Sequence, residues 1–212
     1  MDLNHEFEVP VTVDEAWKIL TDVERIAPCL PGAELQEIEG DTYRGVVKVK
    51  VGPIQAQFKG QASFMERDDA AHKAVLRGEG RDTGGKGNAS ALITAQLTGI
   101  TSGSTKVEVT TDLSITGKIA QFGRGAMADI SDKILGQFVE NLNTLIASQP
   151  AAPAAEAPAA AQPAATDAGP RKIDGPEAKP IDLLDAAGAP ILKRALPVVV
   201  VVAAVIVWLV VK

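Results

Sequence analysis

The chain has 212 residues, 46% of them hydrophobic but only 4% aromatic, so its apolar content is made of small and β-branched side chains more than rings. With 23% charged residues it is not a polytopic membrane protein, and a net charge of −6 excludes a surface built to grip a phosphate backbone. One cysteine, Cys29, and two histidines, His5 and His72, are too few for a disulfide framework or a Cys/His zinc site, so no metal, no covalent cofactor and no nucleic acid is expected.

In chain order, Leu3 to Val9 alternates apolar and polar residues and predicts a strand that Pro10 ends. Thr12 or Val13 opens a helix with Asp14 and Glu15 in its first turn and Ala16, Trp17, Ile19 and Leu20 on its apolar side. Thr21-Asp22 caps a second, short helix that must stop near Pro28. The rigid loop Cys29-Leu30-Pro31-Gly32 follows. Six strands then succeed one another at hairpin spacing: Ala33 to Glu39, Thr42 to Val51, Ile54 to Glu66, Ala71 to Arg81, Gly87 to Thr98 and Thr105 to Thr116. From Lys118 to Ala147, Ile119, Phe122, Ala126, Ile130, Ile134, Phe138, Leu142 and Leu145 recur three or four apart and predict one long amphipathic helix. The expected fold is α+β, a curved antiparallel sheet of about seven strands closed by a long C-terminal helix.

The composition divides the chain into three. Residues 1 to 148 form the folded domain, with 15 Lys and Arg against 21 Asp and Glu, and therefore carry the whole net charge. Residues 149 to 192 read as a disordered linker, since eleven of the twenty residues from Ala151 to Pro170 are Ala and four are Pro. Residues 193 to 212 read as a single transmembrane anchor. Lys193-Arg194 precedes an uncharged run from Ala195 to Val211, with Trp208 near its far end. Met1 to Val9 lack the basic-then-apolar pattern of a secretion signal, so the folded domain is expected on the cytoplasmic side of the cell membrane.

Alternation sends small residues to the concave face of the sheet: Gly45, Ala56, Gly60, Ala62, Gly78, Ala89 and Ala91 sit between Val47, Phe58 and Leu76. Glycine and alanine do not fill the space under a curved sheet as Phe or Leu would, so an apolar cavity is expected, and Gly60→Leu or Ala91→Phe would fill it. Other motifs carry less. Gly80 to Lys86 imitates a phosphate loop, but Gly87 stands where Ser or Thr should be and a strand follows instead of a helix. His72, beside Asp68-Asp69, reads as a surface residue, His5 as a core or rim histidine, and Cys29 as a small apolar side chain.

Several short motifs then stand together: Phe7-Glu8-Val9-Pro10 with Glu15-Ala16-Trp17, Cys29-Leu30-Pro31-Gly32, Val51-Gly52-Pro53-Ile54 followed by Phe58-Lys59-Gly60, Gly78-Glu79-Gly80, and Gly117 to Gly123. With the element order they make the chain resemble the carbon monoxide dehydrogenase G-subunit family of the helix-grip, START-like superfamily. The resemblance implies a non-catalytic accessory that brings a molybdenum-type CO dehydrogenase to the inner face of the membrane. A cavity tethered to the bilayer in which quinones dissolve suggests a cargo, a quinone such as menaquinone delivered as electron acceptor. Leu30 and Pro31 are then expected to border the mouth, with Val47, Phe58, Phe64, Leu76, Ile93, Phe122, Ala126 and Ile130 lining the cavity. A plain structural tether for the dehydrogenase, and a small hydrolase or cyclase using His5, Cys29 or Glu79, are the alternatives.

Overall fold

The computed structural model describes residues 1–51, 54–148, 171–173 and 181–182. Seven long strands form one antiparallel sheet: β1 Asp2–Val9, β2 Ala33–Glu39, β3 Thr42–Val51, β4 Ile54–Asp68, β5 Lys73–Asp82, β6 Asn88–Thr101 and β7 Ser104–Ile115. Their spatial order is β1-β7-β6-β5-β4-β3-β2. From β2 to β7 the sheet is a meander of hairpins, and β1 closes it by pairing with β7, Phe7 opposite Val107.

Between β1 and β2 lie α1 (Val13–Thr21), α2 (Val23–Ile26) and a 3-10 turn at Ala27–Cys29. The caps are those expected from the residues. The Thr12 hydroxyl accepts from the Glu15 N–H at 3.3 Å, and the Asp22 carboxylate accepts from the Arg25 N–H at 3.1 Å. The long helix α3 runs Gly123–Ala147, not from Lys118. Residues Gly117–Phe122 form a 3-10 turn instead, and Gly123 ends it at φ 78°, a left-handed conformation that glycine tolerates and that resets the chain direction before the helix starts.

The apolar core is unevenly distributed. Trp17, Ile19, Val9, Val107, Leu97, Ala74, Phe138 and Leu142 pack together, joining α1 and the C-terminal half of α3 to one end of the sheet. Phe7 meets Phe138 edge-on with centroids 6.2 Å apart. Trp17 also donates its indole N–H to Asp69 at 2.7 Å and packs edge-on against His72, whose ring is 3.0 Å from Asp14. His72 is therefore half-buried at the junction of α1 with the β4–β5 turn, where the sequence reading puts it on the surface. Large side chains concentrate at this end, and the opposite end is left to small residues around Phe58.

A second difference concerns the segment after the domain. Arg171–Lys172 forms a short strand, β8, antiparallel to β2, and Ile181–Asp182 forms β9, parallel to β3. These residues fall within the stretch read as a disordered linker. Their main-chain pairing with a free sheet edge is not visible in a composition dominated by Ala and Pro. The apolar run 195–211 lies outside the described residues, and among those described no helix is long and apolar enough to cross a membrane.

Candidate functional site

Under the small-residue end of the sheet lies an apolar cavity of about 450 Å³. Its floor is the concave face of β3, β4, β5 and β6 through Gly45, Val47, Phe58, Gly60, Ala62, Gly78, Gly80, Ala89 and Ala91. Ile134 of α3 covers it, and Val23, Ala27 and Leu30 form the rim from the α2 side. Leu30 and Val47, 38% and 39% exposed, are large apolar side chains left open to solvent at the mouth. A second lobe of about 190 Å³ continues toward the N-terminal half of α3, lined by Val49, Ala56, Ile115, Ile119, Met127 and Ile130. Phe58, Ala89, Leu113 and Ile134 belong to both lobes, so the two are contiguous.

The backbone shows why the space persists. Gly60 lies opposite Gly45 on β3 and Gly80 on β5. A Cβ on Gly60 would come within 1.9 Å of the Glu79 carbonyl oxygen, so only glycine lets these strands coil this tightly. Gly60 is thus a curvature position, and Gly60→Leu, which alternation suggests as a cavity-filling change, would collide with main chain. Gly78 is the opposite case. A Cβ there meets nothing within 4 Å and would project into empty space.

Of the residues expected at the cavity, Leu30, Val47, Phe58 and Ile130 line the two lobes, Val47 and Phe58 on the strand face that alternation assigns them. Phe64 and Leu76 do not, because they pack against the Trp17 core, Phe64 meeting Tyr43 edge-on at 6.2 Å. Pro31, Ile93 and Ala126 are half-buried and line neither lobe. The Phe122 side chain lies outside the described residues. Periodicity missed Met127, whereas Tyr43 shares the alternation face of Gly45 and Val47 but is not among the residues expected to line the cavity. Met127 is one residue from the predicted helix stripe and three before Ile130, so it lies on the same helix face and lines the same lobe.

Polar groups gather beside the mouth. A cleft of about 400 Å³ is lined by Lys18, Thr21, Asp22, Glu24, Arg67 and Arg171, and shares Val23 and Tyr43 with the apolar cavity. Burial, and then the Asp41 charge, push the Tyr43 phenol up, so it stays protonated and can donate at the boundary between the wet cleft and the dry cavity. Neither lobe is lined by a histidine or cysteine. His5 reaches Asp132 on α3 at 3.0 Å, and Glu79, on the cavity wall, pairs with Arg77 at 2.6 Å. Cys29 is buried, with its thiol pushed up by that burial. The Gly80 to Lys86 segment is a hairpin turn organised by the buried Asp82, which accepts from the N–H groups of Gln57 at 3.1 Å and Lys86 at 2.8 Å.

This architecture and its sequence both have relatives. The family model for CoxG, the G subunit of carbon monoxide dehydrogenase, matches residues 6–147, nearly the whole folded domain. The chain belongs to that family. No curated protein sequence matches it significantly. Among solved structures it is similar to a conserved protein from Geobacillus kaustophilus, with a TM-score of 0.64 and 21% identity over 69% of this chain and 95% of that one. It is also similar to norcoclaurine synthase from Thalictrum flavum, with a TM-score of 0.51 and 14% identity over 71% and 95%. At these identities the likeness is one of fold, and the fold of this CoxG family member is the helix grip. Its defining feature is a long helix held across a strongly curved antiparallel sheet.

Proposed function

We propose that this protein is a membrane-attached carrier of an isoprenoid quinone, menaquinone, serving a CO dehydrogenase of the molybdenum hydroxylase type. The observation that carries the reading is the two-lobed cavity, predominantly apolar and open at Leu30 and Val47. Family membership supports the enzyme partner. The uncharged run from Ala195 to Val211 supports attachment to the cell membrane with the folded domain on its cytoplasmic side.

The dimensions suit such a ligand. The 450 Å³ and 190 Å³ lobes together hold roughly twenty non-hydrogen atoms at about 30 Å³ each, the size of a methylated naphthoquinone ring with one or two isoprene units. Burying about 300 to 400 Å² of its apolar surface contributes on the order of 8 to 10 kcal/mol relative to water before entropy costs, comparable to what the same surface gains in lipid. Phe58, common to both lobes, stacks against the ring. Met127, Ile130 and Ile134 close over it from α3, while Tyr43 and the polar cleft meet its carbonyl end. The dehydrogenase supplies the two electrons, two protons come from solvent, and the quinone leaves as quinol. In this reading the carrier binds, orients and shields its cargo, and none of its residues takes part in the redox step.

Organic extraction and mass spectrometry of protein purified from a menaquinone-producing host tests the reading. A stoichiometric isoprenoid quinone is expected. A protein that carries none and takes up none from added quinone refutes it and leaves a structural tether for the dehydrogenase.

A further inference from the structure

We propose that the two paired segments 171–173 and 181–182 act as a strap that holds the opening of the cavity against the bilayer surface; the proposal rests on reading the run 195–211 as the membrane anchor. The strap is placed by main-chain pairing. Arg171 lies opposite Ile38 and Lys172 opposite Glu37, and the Ile173 N–H donates to the Gln36 carbonyl at 2.9 Å. Farther on, Ile181 and Asp182 pair with Val49 and Lys50 of β3.

Both contacts run the same way. β8 is antiparallel to β2, which is antiparallel to β3, so β8 follows the direction of β3, and β9 is parallel to β3 as well. The two anchorage points therefore bracket the start of β2, where Ala33 faces Val47 at the mouth of the cavity.

Two physical reasons hold it there. β2 is the last long strand of the sheet, and its outer row of N–H and C=O groups needs a partner. Charge assists, because Arg171 and Lys172 are the first basic residues after the acidic domain: Arg171 pairs with Glu24, and Lys172 lies in register with Glu37, which Arg44 holds. The Arg171–Glu24 ion pair also ties the strap to α2, on the rim of the same mouth.

The consequence is a change of tether length. Without the strap, residues 149–194 separate the domain from the apolar run, 46 positions that extend to about 150 Å. With it, only residues 183–194 remain, twelve positions with a fully extended reach of about 40 Å. The farthest the mouth can stand from the start of the apolar run thus falls roughly fourfold, and the mouth is confined nearer the headgroups. A domain that must take an insoluble molecule from the bilayer gains from that confinement.

The experiment uses the full chain in phosphatidylcholine/phosphatidylglycerol vesicles, a fluorophore on Val47→Cys at the mouth, and an energy acceptor in the headgroups. Ile173→Pro with Arg171→Glu removes the strap's donated hydrogen bond and its ion pair, while leaving β1 to β7 and the denaturation midpoint of the domain unchanged. Energy transfer is expected to fall, with the mean mouth-to-surface distance growing about twofold. Amide exchange at 171–173 is expected to be protected in the parent and fast in the variant. Equal transfer in both proteins, or unprotected amides in the parent, overturns the strap while vesicle flotation stays intact. Loss of flotation by both proteins overturns the anchor reading and the strap together.

Discussion

Replacing Gly78 with leucine asks whether the cavity is the functional site. Gly78 lines it from β5, and a Cβ at that position touches nothing within 4 Å, so the new side chain enters space and displaces no protein atom. Its four carbons occupy roughly 120 Å³ at about 30 Å³ each, about a quarter of the 450 Å³ lobe. A ligand that loses contact for four carbon groups, at ~0.8 kcal/mol each, binds about 3 kcal/mol more weakly, which is about 200-fold in Kd. Folding should change by less than about 1 kcal/mol, because leucine is a better strand residue than glycine and gains partial burial. Fluorescence quenching titration with a short-chain menaquinone measures the affinity, and urea denaturation measures the fold. CO-driven quinone reduction in membranes carrying the dehydrogenase reads the function. A Gly78→Leu protein that folds, no longer binds quinone, yet sustains full CO-driven reduction refutes the carrier reasoning. One that binds quinone with parental affinity refutes the assignment of the cavity.

Gly60→Ala separates curvature from lining. With 1.9 Å between the added Cβ and the Glu79 carbonyl, it should cost about 3 kcal/mol by urea denaturation, and an unchanged midpoint would show that the strands can relax. Leu142→Ala, at a fully buried position of the opposite core, should also cost about 3 kcal/mol but leave quinone affinity of the folded protein unchanged in the same titration. Asp82 sets an acid limit. Burial by itself would push its carboxyl up, but the N–H groups of Lys86 and Gln57 and the Lys86 charge outweigh it and hold the group below the ordinary carboxylate range. A depressed folded-state pKa stabilises the protein above the unfolded value of about 3.9, and that contribution is lost as pH falls below it toward the folded value. Denaturation midpoints from pH 5 to pH 2.5 should therefore fall more steeply for the parent than for Asp82→Asn, and parallel slopes would contradict the assignment.

Much of the fold was legible because local rules agree with the global structure. Alternation located all seven long strands, and Gly40-Asp41 marked the β2–β3 turn correctly because a tight hairpin needs residues of that kind. Thr12 and Asp22 announced two helix starts through chemistry that acts over three residues. The start of α3 was harder. Ile119 and Phe122 continue the apolar spacing, but Gly117 and Gly123 impose a 3-10 turn that periodicity does not register.

The candidate site was half legible for a similar reason. Alternation decides which face of a strand a residue occupies, and so it placed Val47 and Phe58 on the concave side. It does not decide position along the strand relative to the helix. Phe64 and Leu76 share that face with Phe58 but sit where α1 and the C-terminal half of α3 press against the sheet, and they became core.

What the sequence by itself determined is the set of elements, the side each residue faces, the scarcity of large side chains on the concave face, and the family to which the domain belongs. Those follow from period, turn chemistry and composition, all of which act between neighbours in the chain. The tertiary structure decided where along the sheet the space stays open, that Gly60 shapes the strands while Gly78 faces emptiness, and that Arg171 and Ile181 return to the edge of β2 and β3. Each depends on which main chain lies beside which, in the last case across more than half the length of the chain, and no local pattern carries that information.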